Sequence, residues 1–463
     1  MAKSEKKKDE SWFHGTPKPF INGLSPGCRS CVEGKWSCIY INGLCTRKCS
    51  FCPQDKPAKK ERLPMSDYIT FRSSDEYISY LRKFDFSGVG FSGGEPFLVF
   101  ELLLGYIKKI RKHFGSRHYL WVYTNGDLVT AQKLELLKKA GLNEIRFDIS
   151  ARDYDLAPVE LAAKHIDTVT IEIPILPSRV AFMKGHLKKF EEIGVKYLNL
   201  HQIIINKSNY AKVINKKIID KKNAFMDAEA IKSMTLESEQ AAFEIMNHAL
   251  RIKSNLKINY CSSRFKDLFQ AQAARRRYAP FVMKKFDGIT LTGYVRRLSI
   301  LIPKPLISKP CEKLPNFFKN VDKRDIIVDS SSGTVIFDQK LLAKLAGAGL
   351  PVRIDYYKPI IPTASKGKAK IRLHDGTPVK LRNSRFMIKL SQAGSFDLAN
   401  ESSALFFLKL FVEGKKAEKA VSEILRHFGL SPSMKADLLD DIKSFYGRFR
   451  NFEHLEIPAH NSL

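Results

Sequence analysis

Six of the eight cysteines fall between positions 28 and 52, and no other feature of the chain restricts its fold as much. In a reducing compartment such crowding argues for metal ligation rather than disulfides. Cys45-Thr-Arg-Lys-Cys49-Ser-Phe-Cys52 is a C-x3-C-x2-C run that directly follows a strand-like segment, residues 38–44. Three thiolates on one tight loop can hold three irons of a four-iron, four-sulfur cluster and leave the fourth open. A second reading competes. Cys28-x2-Cys31 and Cys49-x2-Cys52 are separated by seventeen residues, as in a four-cysteine zinc ribbon. That reading makes the chain a non-enzymatic, zinc-binding nucleic-acid module and leaves Cys45 without a role.

The segments that follow the loop favour the first reading. Short β-branched or aromatic runs at 38–44, 88–92, 119–124, 144–149, 168–173 and 197–201 alternate with helical periodicity near 75–83, 100–113, 131–140, 159–165 and 183–193. Repeated βα units build a parallel sheet. Six repeats are too few to close an eightfold barrel, so an α/β fold with an open, partial (β/α)6 barrel is expected over 21–205, cysteine-rich segment included. At two strand ends the residues carry chemistry. Phe91-Ser-Gly93-Gly94-Glu95-Pro96 offers glycines that let backbone approach a ligand and a carboxylate able to accept from an ammonium. The next strand ends in Tyr123-Thr124-Asn125-Gly126.

The loop and these strand ends resemble the radical S-adenosylmethionine (radical SAM) superfamily. Cys45, Cys49 and Cys52 match its cluster ligands, and Gly93-Gly94-Glu95 its motif for the methionyl amino group. The resemblance implies a [4Fe–4S] cluster and S-adenosylmethionine, reductive cleavage to a 5′-deoxyadenosyl radical, and abstraction of an unactivated hydrogen. It also implies cofactor contacts from Phe51, Gly93, Gly94, Glu95, Pro96, Thr124, Asn125, Asp148 and Ser150, with no acid–base dyad required, and an electron donor such as ferredoxin or flavodoxin.

A wider stretch, Pro26-Gly-Cys28-Arg-Ser-Cys31 through Cys38 to Cys45 and later Gly141-Leu-Asn-Glu-Ile-Arg146-Phe, is similar to an archaeal-type group related to the glycyl-radical (pyruvate formate-lyase) activating enzymes. Tyr260-Cys261-Ser-Ser263, Lys266, Asp267 and Gln270 continue the likeness, which spans roughly 20–300. Cys28 and Cys31, with Cys261 and with Cys38 as a candidate fourth ligand, could form an auxiliary iron–sulfur, zinc or iron site. Alternatively Cys38 is a small core residue and Cys261 a buried thiol. Cys311 reads as structural.

Residues 1–20 form a charged tail, expected to be disordered. Polar residues 206–233 read as an excursion, a helix is expected near 237–253, and 206–310 as a whole is a basic helical extension. Residues 311–382 are β-rich, with strands near 326–328, 333–337 and 352–357 and a polar linker at 363–370. The last segment, 383–463, shows a strand turning into a helix from Phe396, a second helix near 417–428 and a third near 434–449 carrying Asp437 and Asp441. This order resembles the precursor-recognition (PqqD-like) domain of ribosomal-peptide maturases, and the plain alternative is a winged helix. The resemblance implies a leader peptide added as a strand to the sheet edge. The expected substrate is therefore a peptide or protein. The net charge of +30, with twelve Lys or Arg between 251 and 300, keeps RNA as the rival substrate. No run of about 18 uncharged apolar residues is present, and the amino terminus lacks the apolar stretch of a secretion signal. A cytoplasmic protein without a membrane partner is expected.

Overall fold

The computed structural model describes residues 18–54, 63–66, 69–214, 228–266, 270–301, 321–329, 333–347, 350, 352–360, 379–380, 387–398, 401–413, 415–429, 431, 449 and 451–453. Two compact units are present, Met1–Ala271 and Gln272–Leu463.

The first unit is built on strands β1 (Phe20–Ile21), β2 (Trp36–Asn42), β3 (Met65–Ser66), β4 (Ile69–Thr70), β5 (Gly88–Gly93), β6 (Tyr119–Thr124), β7 (Glu144–Phe147), β8 (Thr168–Pro174), β9 (Val195–His201) and β10 (Lys257–Cys261). Their order in one sheet is β1-β10-β9-β8-β7-β6-β5-β2-β3-β4. β2 and β5 through β10 run parallel, which requires crossover connections. Helix α1 (Pro26–Val32) precedes β2. The crossovers carry α2 (Ser74–Lys83), α3 (Phe100–Phe114), α4 (Ala131–Lys139), α5 (Ala157–Ala163), α6 (Val180–Glu192), the short α7 (Tyr210–Val213) and α8 (Ala228–Arg251).

Local chemistry accounts for these elements. The side chains of Ser73 and Thr130 accept from the third backbone N–H of α2 and α4, capping both helices. Along α3, Leu103, Leu104, Ile107 and Ile110 recur at helical spacing and are buried. Val89, Phe91, Val122, Ile145, Ile171 and Leu198 form strand layers with no more than traces of exposure.

The architecture is an open, partial (β/α) barrel with one parallel strand more than expected. β10 escaped notice because Asn259 stands between Ile258 and Tyr260, and a buried polar residue hides the apolar signal. The expected excursion at 206–233 is corrected at both ends: α7 lies at Tyr210–Val213, and α8 already begins at Ala228.

The interior of this unit is polar at its centre. Arg146 donates to Glu144 Oε1 and Glu172 Oε2, both at 2.8 Å, while its guanidinium sits 4.7 Å from the Trp121 ring. Helix α1 seals the same region. Ser25 caps it by accepting from Cys28 N, and its Oγ also receives Arg146 Nη2 at 3.1 Å. Gly27 permits this packing, since a Cβ there would lie 2.5 Å from Arg146 Nη2.

The second unit has an antiparallel sheet of β11 (Gly288–Ile289), β12 (Val295–Leu301), β13 (Ile326–Asp329), β14 (Thr334–Phe337), β15 (Val352–Ile360), β16 (Val379–Lys380) and β17 (Met387–Leu398), ordered β13-β14-β12-β15-β17-β16 with β11 beside β12. β15 and β17 pair over most of their length, so stretches expected in two separate segments share one sheet. Helices Glu401–Phe407 and Ala417–His427 pack their apolar faces into its core through Ala404, Phe407, Val421 and Ile424. Much of the local positive charge is spent internally. Arg297 pairs with Asp287 at 2.7 Å, Arg296 with Glu453 at 2.9 Å, and Arg275 stacks on Tyr294 at 4.6 Å. Residues 1–17, Cys311, the 363–370 linker, Asp437 and Asp441 lie outside the described residues. Among the described residues no helix is long and apolar enough to cross a membrane.

Candidate active site

Parallel strands place their C-terminal ends, and the loops that follow them, on one side of the sheet. There a cavity of about 700 Å3 is lined by Cys45, Cys49 and Cys52 after β2, by Gly93 and Gly94 at β5, by Thr124 and Asn125 at β6 and by Asp148 after β7.

The cysteine loop is held from several directions. Asn42 Oδ1 accepts from Leu44 N at 2.6 Å, and Cys52 N bonds Cys49 O at 3.3 Å. Asp127, beyond β6, accepts from Thr46 Oγ1 at 2.7 Å and from both Arg47 Nη2 and Arg152 Nη1 at 2.6 Å. Hydrogen bonds from Arg47 hold the Asp127 carboxyl well below the usual carboxylate range. Asn125 Nδ2 donates to Thr46 Oγ1 at 2.9 Å and approaches Cys45 Sγ at 3.8 Å. From the other side, Asn206 Nδ2 donates to Pro53 O at 2.7 Å and Asn209 Nδ2 to Phe51 O at 2.8 Å. Residues 206–209, expected to be loop, therefore grip the end of the cysteine loop. Apart from Asn125, which the strand-end segment already marks, these partners carry no sequence signal, because each meets the loop only through the fold.

The residues present fit a cuboidal cluster with S-adenosylmethionine. All three loop cysteines face one cavity. Burial pushes the Cys45 and Cys49 thiols up, Cys49 to about 12, so ligation would release protons. Among the described residues no three His, Cys, Asp or Glu side chains gather as a single ion needs. A cluster attaches each thiolate to a different iron and has no such requirement. Gly93 and Gly94 line the cavity while packing directly on the backbone that leads into the loop: Gly93 has φ +135°, and added Cβ atoms would lie 2.2 Å from Asn42 O and 1.8 Å from Leu44 O.

Of the expected cofactor contacts, Phe51, Gly93, Gly94, Thr124, Asn125 and Asp148 line the cavity. Glu95 is 1% exposed, and its carboxylate accepts from Phe97 N at 3.0 Å, Thr124 Oγ1 at 2.9 Å and Asn125 N at 2.8 Å. The carboxylate thus ties the β5 and β6 tips together. Pro96 starts a buried turn, and Ser150 donates to Asp148; neither lines the cavity. Burial raises the Asp148 carboxyl to about 6 against the pull of its bonds from Ser150.

The cavity extends past the strand tips to Cys28, Cys31, Cys38, Cys261, Lys18, His201, Lys266 and Gln270. All seven described cysteines therefore line one space. His201 Nε2 lies 2.9 Å from Glu172 Oε1, and its Nδ1 lies 3.1 Å from Lys266 Nζ. Burial pushes the Glu172 carboxyl up, but Arg146 and His201 outweigh that and hold it low.

Comparison with known proteins agrees with this geometry. Residues 39–173 match the Radical SAM superfamily. A Methanocaldococcus jannaschii protein, provisionally named glycyl-radical enzyme activating enzyme MJ0021, is 28% identical over 287 residues, 59% of this chain and 72% of that protein. Among solved structures, Streptococcus suis SuiB bound to S-adenosylmethionine aligns over 54% of each chain at 13% identity and a TM-score of 0.35. Coproporphyrinogen III oxidase (HemN) of Escherichia coli aligns over 50% of this chain and 57% of its own at 14% identity and a TM-score of 0.30. The chain thus spans little more than half of either structure, and overlays this loose decide nothing further. The family match falls on the strands and loops that form the cavity, and the chain is accordingly an iron–sulfur enzyme carrying a radical SAM domain.

Proposed function

We propose that Cys45, Cys49 and Cys52 hold a [4Fe–4S] cluster and that the enzyme takes a hydrogen atom from a peptide or protein substrate. The observation that carries this reading is the convergence of the three loop sulfurs, the Gly93-Gly94 backbone, Asn125 and Asp148 on one cavity. Bound there, the cluster and S-adenosylmethionine would supply a 5′-deoxyadenosyl radical by reductive cleavage. The chain's own residues position and enclose. Gly93 and Gly94 line the cavity while packing on the backbone that leads into the loop, Asn125 and Thr124 shape the rim next to the loop, and the Asp127 clamp keeps the loop in place.

The protein-substrate reading rests on the archaeal relative, whose name describes action on another enzyme. In it, the hydrogen comes from a glycine of the partner. The second unit would recognise the substrate peptide by strand addition, since among the described residues β13 has a sheet neighbour on one side only. A ferredoxin or flavodoxin would deliver the electron. RNA is the less favoured substrate, because Arg275, Arg296 and Arg297 of the basic segment are engaged inside the second unit.

The test is anaerobic incubation of the full chain with dithionite and S-adenosylmethionine. Formation of 5′-deoxyadenosine and methionine is expected, and Cys49→Ala should abolish both. Wild-type protein with a full cluster that leaves S-adenosylmethionine intact would refute the reading.

A further inference from the structure

The loop leaves four described cysteines unused, and three of them share an unusual setting. Cys28 and Cys31 lie on α1, Cys261 ends β10, and all three line the cavity. Every one of these sulfurs is met by an N–H donor. Cys261 Sγ accepts from Lys18 Nζ at 3.1 Å, and Cys31 Sγ from Gln270 Nε2 at 3.3 Å. Cys28 Sγ is approached by Asn199 Nδ2 at 3.6 Å and Asn259 Nδ2 at 3.8 Å. A free buried cysteine ordinarily packs as a small hydrophobe. Polar N–H groups directed at sulfur are instead the outer partners of metal-bound thiolates, where they orient the ligand and tune its charge.

Lys18 supplies the second observation. It is 1% exposed, and its Nζ donates to Cys261 Sγ at 3.1 Å while standing 4.6 Å from the centre of the Phe265 ring. Its ammonium is thus one more buried N–H donor aimed at a sulfur of this set.

We propose that Cys28, Cys31 and Cys261 hold a second iron–sulfur cluster, separate from the one on the 45–52 loop, with Lys18, Gln270, Asn199 and Asn259 as its N–H···S donors. A single zinc ion is the poorer occupant, because it needs its ligands gathered around one point, and among the described residues no such group is present. The inference concerns a different set of ligands from those of the proposed function and stands or falls apart from it.

Iron and acid-labile sulfide are counted in the full chain after anaerobic reconstitution. More than four irons per chain are expected, since the loop alone accounts for one [4Fe–4S] cluster. A C45A/C49A/C52A variant should keep iron, sulfide and a brown charge-transfer absorption, and adding Cys28→Ser, Cys31→Ser and Cys261→Ser should remove them. Within the loop variant, Lys18→Met leaves every ligand in place and should lower the reduction potential of the remaining cluster. Four or fewer irons in wild type, a loop variant that is metal-free or holds only zinc, or a potential indifferent to Lys18→Met would each overturn the proposal. Loss of S-adenosylmethionine cleavage with both clusters present would count against the proposed function and leave this inference intact.

Discussion

Gly94 shows how one missing carbon controls the site. A Cβ at this position would fall 1.8 Å from Leu44 O and 2.3 Å from Leu44 C, backbone atoms that cannot rotate away. Gly94→Ala is therefore expected to destabilise by roughly 3 kcal/mol, the upper end for overpacking, and to abolish S-adenosylmethionine cleavage. Gly105, inside α3, has nothing within 4 Å of an added Cβ. Gly105→Ala should raise stability by roughly 0.5–1 kcal/mol through helix propensity. Thermal melts of the two variants check the contrast, and similar shifts would refute it. His118 allows a pH prediction. Burial, aided by Arg111 and Arg117, holds its imidazole down to about 4, and the ring stacks on Phe114 at 4.1 Å. The unfolded chain takes up this proton near pH 6.5, before the folded protein does. Its contribution is complete above about 6.5, declines as pH falls from 6.5 to 4, and is constant below. His118→Phe should shrink the difference between melting temperatures at pH 7.5 and pH 5; an unchanged difference would refute the assignment.

At the level of elements, the cysteine loop is a short segment clamped from outside itself. Asp127 receives Thr46, Arg47 and Arg152 together, so Asp127→Ala frees two guanidinium groups and the loop's first turn. The expected outcome is iron lost to a chelator several times faster, with the melting temperature changed little because the arginines are partly exposed. Equal rates of iron loss would show the clamp to be dispensable. The clamp also explains why the loop was legible and its support was not. Cys45, Cys49 and Cys52 are brought together by covalent spacing on one turn, whereas Asp127 and Asn209 reach it across some 80 and 158 residues of chain. β10 was hidden for a related reason: Asn259, which faces Cys28 and Asn199, interrupts the continuous apolar run that a parallel strand buried on both faces otherwise shows.

Over the whole N-terminal unit, the polar centre around Arg146 is the feature on which the packing of several strands depends. Arg146 joins Glu144 of its own strand, Glu172 of β8 and Ser25 ahead of α1, with Thr170 completing Glu144 at 2.6 Å. Removing one partner of such a buried group strands the others, so Arg146→Met should cost about 3–5 kcal/mol. Chemical denaturation measures it, and a loss below 1 kcal/mol would contradict the network. Adding Glu144→Gln and Glu172→Gln should recover part of the loss. What the chain's order alone determined is whatever depends on neighbours: the three-cysteine loop, the glycine pair at a strand tip, and six strands whose alternation is apolar. Tertiary structure decided the rest. It brought Lys18, Cys28, Cys31 and Cys261 into the same cavity as the loop, and it turned Glu95 inward to bind Thr124 and Asn125. The physical reason is that short-range spacing is set by bond lengths and backbone geometry. Meetings between residues hundreds of positions apart are set by which faces the sheet buries, and that is a property of the folded chain.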